Sequence, residues 1–151
     1  MELLLWRHAE ARDGVPDLQR PLTDKGHRQA AALAVWLVPR LPRELRILAS
    51  PAVRTRETVA VLKRDFEVSP ALAPGAAPET VLAAAGWPEA HGAVLVVGHQ
   101  PTLGQVAGLL LAGRAAEFSV KKGGLWWLAL RTRGSSAQVV VRAVINPDLL
   151  D

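Results

Sequence analysis

Three short stretches of this chain are almost continuously apolar: Leu3 to Arg7, Arg46 to Ser50 and Ala93 to Gly98. Runs of that length without polar alternation predict strands buried on both faces of a parallel sheet. Between them the period changes to that of a helix. Thr23 is a suitable N-cap, and Ala30, Leu33, Ala34, Leu37 and Val38 recur at helical spacing until Pro39 and Pro42 stop the helix. Ser50-Pro51 reads as a second start, an N-cap followed by proline at the first helical position, leading to about Lys63. Pro101 opens a third helix with Leu103, Val106, Ala107, Leu110 and Leu111 on its apolar side, and a short helix is predicted from Glu79 to Ala85. Leu125 to Leu130 and Gln138 to Ile145 predict two more strands joined as a hairpin across Arg133-Gly134-Ser135-Ser136. Strands alternating with helices predict an α/β fold with helices layered on a mainly parallel sheet, which binds ligands at the carboxyl ends of its strands.

Composition narrows the class. The chain has 151 residues, half of them apolar, so a single domain over 1–151 with a sufficient core is expected. It has no cysteine, which excludes disulfides, thiolate catalysis and cysteine-ligated metals. The longest apolar run, Ala30 to Val38, is too short to span a bilayer, and Met1-Glu2 does not begin a signal peptide. A cytoplasmic protein without a membrane partner is therefore expected. The net charge of +4 suits an anionic substrate or a nucleic acid. Because the cations are scattered and only five Trp and two Phe are aromatic, no nucleic-acid partner is expected. The oligomeric state is left open.

The candidate chemistry lies where the apolar runs end. Arg7-His8 follows one and Gly98-His99 another, and charged or titratable residues there are costly without a use. His99 stands just before the Pro101 helix, and the helix starts there and after Ser50-Pro51 have free N–H groups and dipoles that favour anions and depress histidine pKa values. On the helix after Ser50-Pro51, Arg54 lies in the first turn and shares a face with Thr58, while Arg56 points about 200° away. The residues thus predict a phosphate site in which neutral His8 is the nucleophile and Arg7, Arg54 and His99 cradle the transferring phosphoryl group, the alternative for Arg54 being a solvated surface arginine. Arg20 either borders that site or pairs with Asp17. His27 and His91 read as surface residues and Glu57 as a helix-surface residue; Trp126 and Trp127 point to opposite faces of a strand, one of them either exposed or, as is commoner, covering a helix layer. No His-Glu-x-x-His pattern, paired aspartates at strand ends, dinucleotide fingerprint or glycine-rich nucleotide loop occurs, so no metal and no cofactor are expected.

These residues, in this order, resemble the histidine phosphatase superfamily, whose pattern begins with Arg-His-Gly near the N-terminus. Here that segment reads Trp6-Arg7-His8-Ala9-Glu10-Ala11, followed by Arg20-Pro21-Leu22-Thr23 with Gly26, Gln29 and Ala30, by Ser50-Pro51 with Arg54, Glu57 and Thr58, and by Val97-Gly98-His99-Gln100-Pro101. Within the superfamily the chain looks most like the short SixA-type phosphohistidine phosphatases. The resemblance implies a phosphoglycerate mutase-like three-layer αβα fold, His8 phosphorylated in turnover, and Arg7, Arg54 and His99 binding phosphate. Two departures stand out: Ala9 replaces the usual glycine, and Leu72-Ala73-Pro74-Gly75 carries alanine where many relatives place a glutamate as general acid. An alkoxide leaves poorly without a proton, whereas the imidazole of a phosphohistidine leaves readily. The expected substrate is therefore phosphohistidine on a phosphorylated protein. The rival readings are a small phosphorylated substrate, with Glu10 as a substitute proton donor, or a noncatalytic phosphate-binding module. Otherwise Glu10 is solvated or paired with an arginine.

Overall fold

The computed structural model describes residues 1–150. Its elements, in chain order, are β1 (Glu2–Arg7), α1 (Asp24–Leu37), β2 (Leu45–Ala49), α2 (Val53–Ala60), β3 (Glu67–Val68), α3 (Pro78–Ala85), β4 (Ala93–Gly98), α4 (Thr102–Ala112), β5 (Leu125–Arg133) and β6 (Ser136–Ile145). The six strands form one sheet in the order β3-β2-β4-β1-β5-β6. β1 to β4 are mutually parallel; β5 extends the sheet antiparallel to β1, and β6 pairs antiparallel with β5 and so runs parallel to β1.

The continuous apolar runs arise because β1 and β4 are central and covered on both faces. Leu4 and Trp6 of β1, with Leu95 and Val97 of β4, pack beneath Ala30, Leu33 and Leu37 of α1 and Val59 of α2. Leu3 and Leu5, with Val94 and Val96, face Val81 of α3 and Leu103, Val106 and Ala107 of α4. All four residues Leu3 to Trp6 have no exposed surface, and each large apolar side chain so buried contributes about 1.5–3 kcal/mol relative to exposure. The result is the expected αβα layering.

The connections determine where a ligand can sit. The chain leaves β1 for α1 on one face and leaves β4 for α4 on the other, although the two strands are neighbours. Adjacent parallel strands whose connections diverge in this way open a crevice at their carboxyl ends. Register pairs Arg7 with Gly98, so His8 and His99 emerge side by side at that crevice.

Thr23 caps α1 as predicted, its hydroxyl accepting the Gly26 N–H at 2.9 Å. Gly26 itself permits a close approach: a Cβ there would lie 2.0 Å from the Glu10 carbonyl oxygen, so α1 lies directly against the segment that follows the β1 end.

Several boundaries differ from the sequence reading. α2 starts at Val53 with Ala52 as its N-cap and ends at Ala60, because the Ser50 side chain is used elsewhere and Lys63 takes a positive φ of 52°. The two-residue β3 was not foreseen, since Glu67 and Val68 are exposed and carry no apolar pattern. The β5–β6 hairpin turns at the expected Gly134-Ser135, but its strands reach to Arg133 and from Ser136. The added residues are exposed, and only their pairing with each other defines them.

Candidate active site

His8 continues the β1–β4 ladder, its backbone N–H donating to the Gly98 carbonyl at 3.1 Å. Its ring Nδ1 lies 2.7 Å from the Ala9 carbonyl oxygen. A carbonyl only accepts, so Nδ1 carries the proton and Nε2 keeps its lone pair. The His99 ring lies beside it, with centroids 5.3 Å apart and planes tilted by 55°. The opposite tautomer follows for His99. Its Nδ1 is 3.4 Å from Arg54 Nη2, which only donates, so the proton resides on Nε2 and is directed at Ser50 Oγ, 2.7 Å away. Ser50 is fully buried and also accepts the Ala52 N–H at 3.1 Å. Its hydroxyl orients His99 rather than capping the helix from the first position, which corrects the sequence reading of Ser50-Pro51.

Arg54 is 4% exposed at the start of α2, while Arg56 faces solvent, as the helical spacing required. Arg54 Nη1 donates to the Asp17 carbonyl at 2.9 Å, and Nη2 donates to Asp17 Oδ2 at 3.1 Å. Thr58, one turn on, donates to the Arg54 carbonyl at 2.7 Å and accepts the Ala9 N–H at 3.0 Å, tying α2 to the residue after His8. Arg7 is half-buried and donates from Nη1 to the Val120 carbonyl at 2.9 Å. The Nε groups of both Arg7 and Arg54 are buried with no hydrogen-bond partner among the described residues. Two unpaired guanidinium N–H donors beside two imidazoles form a site suited to a multivalent oxyanion.

The electrostatics suit an anion and neutral imidazoles. Burial pushes the His8 pKa down to about 4, with the charges of Arg54 and Arg7 acting in the same direction against the Ala9 hydrogen bond. His99 is pushed down to about 3, again chiefly by burial and then by His8 and Arg54, with Asp17 opposing. Loss of hydration is the largest cause at both rings, and the arginine charges add to it. The arginines in turn hold the Asp17 carboxyl below its ordinary range through hydrogen bonds from Arg20 and Arg54.

The remaining candidates fall around this centre. Arg20 donates from Nη1 to Asp17 Oδ1 at 3.1 Å and from Nε to the Arg12 carbonyl at 2.7 Å. It does pair with Asp17, and because Asp17 also meets Arg54, Arg20 stands one side chain outside the buried centre. Glu10 is half-buried and makes no ion pair with a described arginine: its Oε2 accepts the Thr23 hydroxyl at 2.8 Å, so it belongs to the start of α1. Glu57 does more than decorate a helix surface, since Oε1 accepts the Leu22 N–H at 2.9 Å and anchors the loop before α1. His27 and His91 are exposed, as expected. Trp127 is buried, and Trp126 is half-covered by Phe118 with rings 5.3 Å apart, so neither indole stands out in solvent. Asp17 was visible in the sequence only as a partner of Arg20; nothing local marks it as a ligand of Arg54.

Among the described residues no three of His, Cys, Asp and Glu converge on a metal-sized site, and no helix is long and apolar enough to cross a membrane.

Comparison with known proteins gives the family and the fold. Residues 3–76 match the model of the histidine phosphatase superfamily, branch 1. The chain is 31% identical over 122 residues to the phosphohistidine phosphatase SixA of Escherichia coli, which is 75% of this chain and 76% of that protein. It is 37% identical over 105 residues to an uncharacterised protein of Mycobacterium tuberculosis, a stretch that is 67% of this chain and 66% of that protein's length. The solved structure of a protein histidine phosphatase SixA complexed with tungstate superposes with a TM-score of 0.79 at 26% identity, covering 100% of both chains. The fold is accordingly phosphoglycerate mutase-like, and the chain belongs to the histidine phosphatase superfamily.

Proposed function

We propose that this phosphatase removes the phosphoryl group from phosphohistidine on a protein, through a phosphorylated His8. The His8 Nε2 lone pair attacks phosphorus while the P–N bond of the substrate breaks with its electron pair, and the departing imidazole takes up a proton from solvent at its freed nitrogen. Water then cleaves the new P–N bond, releasing inorganic phosphate and returning His8 to its neutral form. Arg7 and Arg54 balance the charge on the equatorial oxygens in both steps, and their unpaired Nε–H groups support that role. The similarity to SixA proteins, one of them complexed with the oxyanion tungstate, supports the same reading.

The observation that carries the choice of substrate is the lack, among the described residues, of a carboxylic acid placed to protonate an alkoxide. Ser69 donates its N–H to Ala49, and the Ala76 carbonyl accepts the Thr102 hydroxyl at 2.6 Å, so residues 69–76 lie at the carboxyl end of the sheet beside α4. That segment contains no ionisable side chain. Asp17 is held ionised by two arginines, and Glu10 is engaged with Thr23. A leaving imidazole dispenses with such an acid, but an alkoxide does not.

The test is phosphate release, with chelator present, from a histidine-phosphorylated protein and from glycerol phosphate. A positioned general acid contributes about 10²- to 10⁴-fold, so kcat/KM for the phosphohistidine substrate is expected to exceed that for the alkyl ester by at least this margin. Comparable turnover of glycerol phosphate would refute the reading.

Ser50 is a positioning residue in this scheme. Ser50→Ala removes the acceptor of His99 Nε2–H and is expected to lower kcat by about 10-fold, as losing a partner that orients a functional histidine typically does. The ¹⁵N shifts of the His99 ring are expected to show a mixture of tautomers. Unaltered shifts with unaltered kcat would remove Ser50 from the scheme.

A further inference from the structure

Outside the catalytic crevice, the feature that stands out is a group of cations on one rim. Lys25 and Arg28 project from the first turns of α1, and Lys121 and Lys122 from the loop before β5; all four are exposed. None of them forms an ion pair with a described residue, whereas Arg46 has Glu67, Arg142 has Glu2 and Arg20 has Asp17. Lys25, Lys121 and Lys122, together with Arg7 of the crevice, line a groove of about 500 Å³. It continues along α1 into a second groove of about 400 Å³ lined by Lys25 and Arg28. Among the described residues, the one acidic residue lining either groove is Asp148.

The lysine loop is held firmly against the site. The Gly123 N–H donates to the carbonyls of Arg7 and His8 at 3.1 and 3.0 Å, the Arg7 N–H donates to Gly124 at 3.0 Å, and Trp6 Nε1 donates to Gly123 at 3.0 Å. Lys121 and Lys122 are thereby fixed directly over the strand end that bears His8. Five like charges against one are mutually repulsive until an anionic partner arrives, and a partner placed here has access to the crevice through Arg7.

We propose that this groove is the docking surface for an acidic face of the phosphorylated protein substrate, the residues flanking its phosphohistidine lying along Lys121, Lys122, Lys25 and Arg28. The inference rests on the phosphoprotein reading above and adds the chemistry of the partner. A small metabolite is the poorer occupant, because the charged heads are exposed and do not enclose a ligand. A nucleic acid is also poorer, since no aromatic side chain lines the grooves to stack on bases.

The experiment measures binding of two labelled synthetic peptides, each with one phosphohistidine, flanked either by glutamates or by glutamines. His8→Ala protein is used so that they remain intact. The acidic peptide is expected to bind about 10-fold more tightly at low salt, and the difference is expected to vanish near 1 M salt, where screening reaches within about 3 Å. Adding Lys121→Glu and Lys122→Glu is expected to erase the preference. Adding Arg131→Glu and Arg133→Glu, exposed on the distant hairpin, is expected to retain it. Equal affinity for the two peptides, or a preference that survives the lysine reversal, overturns the docking surface. A DNA duplex that displaces the acidic peptide at lower concentration overturns the protein occupant. Hydrolysis of both peptides by the unmodified enzyme, measured separately, tests the phosphohistidine reading, so either inference can fail alone.

Discussion

Replacing His8 with alanine is expected to reduce phosphate release from a histidine-phosphorylated protein by about 10⁴-fold or more, the scale on which loss of a covalent nucleophile is felt. Arg7, Arg54 and His99, the proposed phosphoryl-binding groups, remain in that variant, so binding is expected to survive while turnover does not. Rapid quench with a radiolabelled substrate is expected to trap label on the unmodified protein and none on His8→Ala. Residual turnover within 10-fold of the unmodified protein would eliminate His8 as nucleophile.

The same residue makes a prediction about pH. Burial and the neighbouring arginines hold the folded-state pKa of His8 at about 4, below the ordinary histidine value of 6.5. Its imidazole is then neutral and nucleophilic throughout the neutral range. A proton is taken up first by the unfolded chain as pH falls, so stability drops between 6.5 and about 4. His99, with a pKa of about 3, acts in the same direction. Ring-proton NMR is expected to place the His8 midpoint near 4; a midpoint near 6.5 would contradict the buried site.

The second large effect is expected from Arg54. Removing one preorganised donor to a developing oxyanion costs about 10²- to 10³-fold in rate, and Arg54→Ala is expected to show a loss of that size in kcat/KM. Arg54→Lys is not expected to rescue it, because an ammonium cannot reproduce the planar array in which Nη1 and Nη2 engage Asp17 while Nε stays unpaired. The variant is expected to remain folded, since Asp17 keeps Arg20 and a cation is removed from the neighbourhood of Arg7. Thermal unfolding checks that point. A change of less than 5-fold in kcat/KM would show that Arg54 serves the loop at Asp17 and not the substrate.

Much of this protein is legible in its sequence for local reasons. β1 and β4 are central strands, and burial on both faces writes itself as continuous apolar runs at Leu3 to Trp6 and Ala93 to Val97. The polar residues that end those runs, His8 and His99, are conspicuous because nothing in a core requires them. Helical periodicity alone separates Arg54 from Arg56, and the structure buries one and exposes the other. The missing acid in Leu72 to Gly75 can also be read directly.

What escapes the sequence is every partnership made across long separations. Ser50 carries the local signature of an N-cap, yet its oxygen lies against a histidine 49 residues away. Asp17 and Glu10 have ordinary surface patterns. Only the packing of α2 against the loop at Asp17, and of α1 against Glu10, makes the first a ligand of Arg54 and the second a ligand of Thr23. The three exposed lysines and Arg28 are scattered in sequence and come to line adjoining grooves because the loop before β5 lies over the end of β1. The sequence by itself therefore determined the layers, the strand ends and the residue types available for phosphate chemistry, because periodicity and burial are local properties of the chain. The tertiary structure alone decided tautomers, ion-pair partners and the charged rim, because each depends on donors and acceptors that meet only when distant segments are packed together.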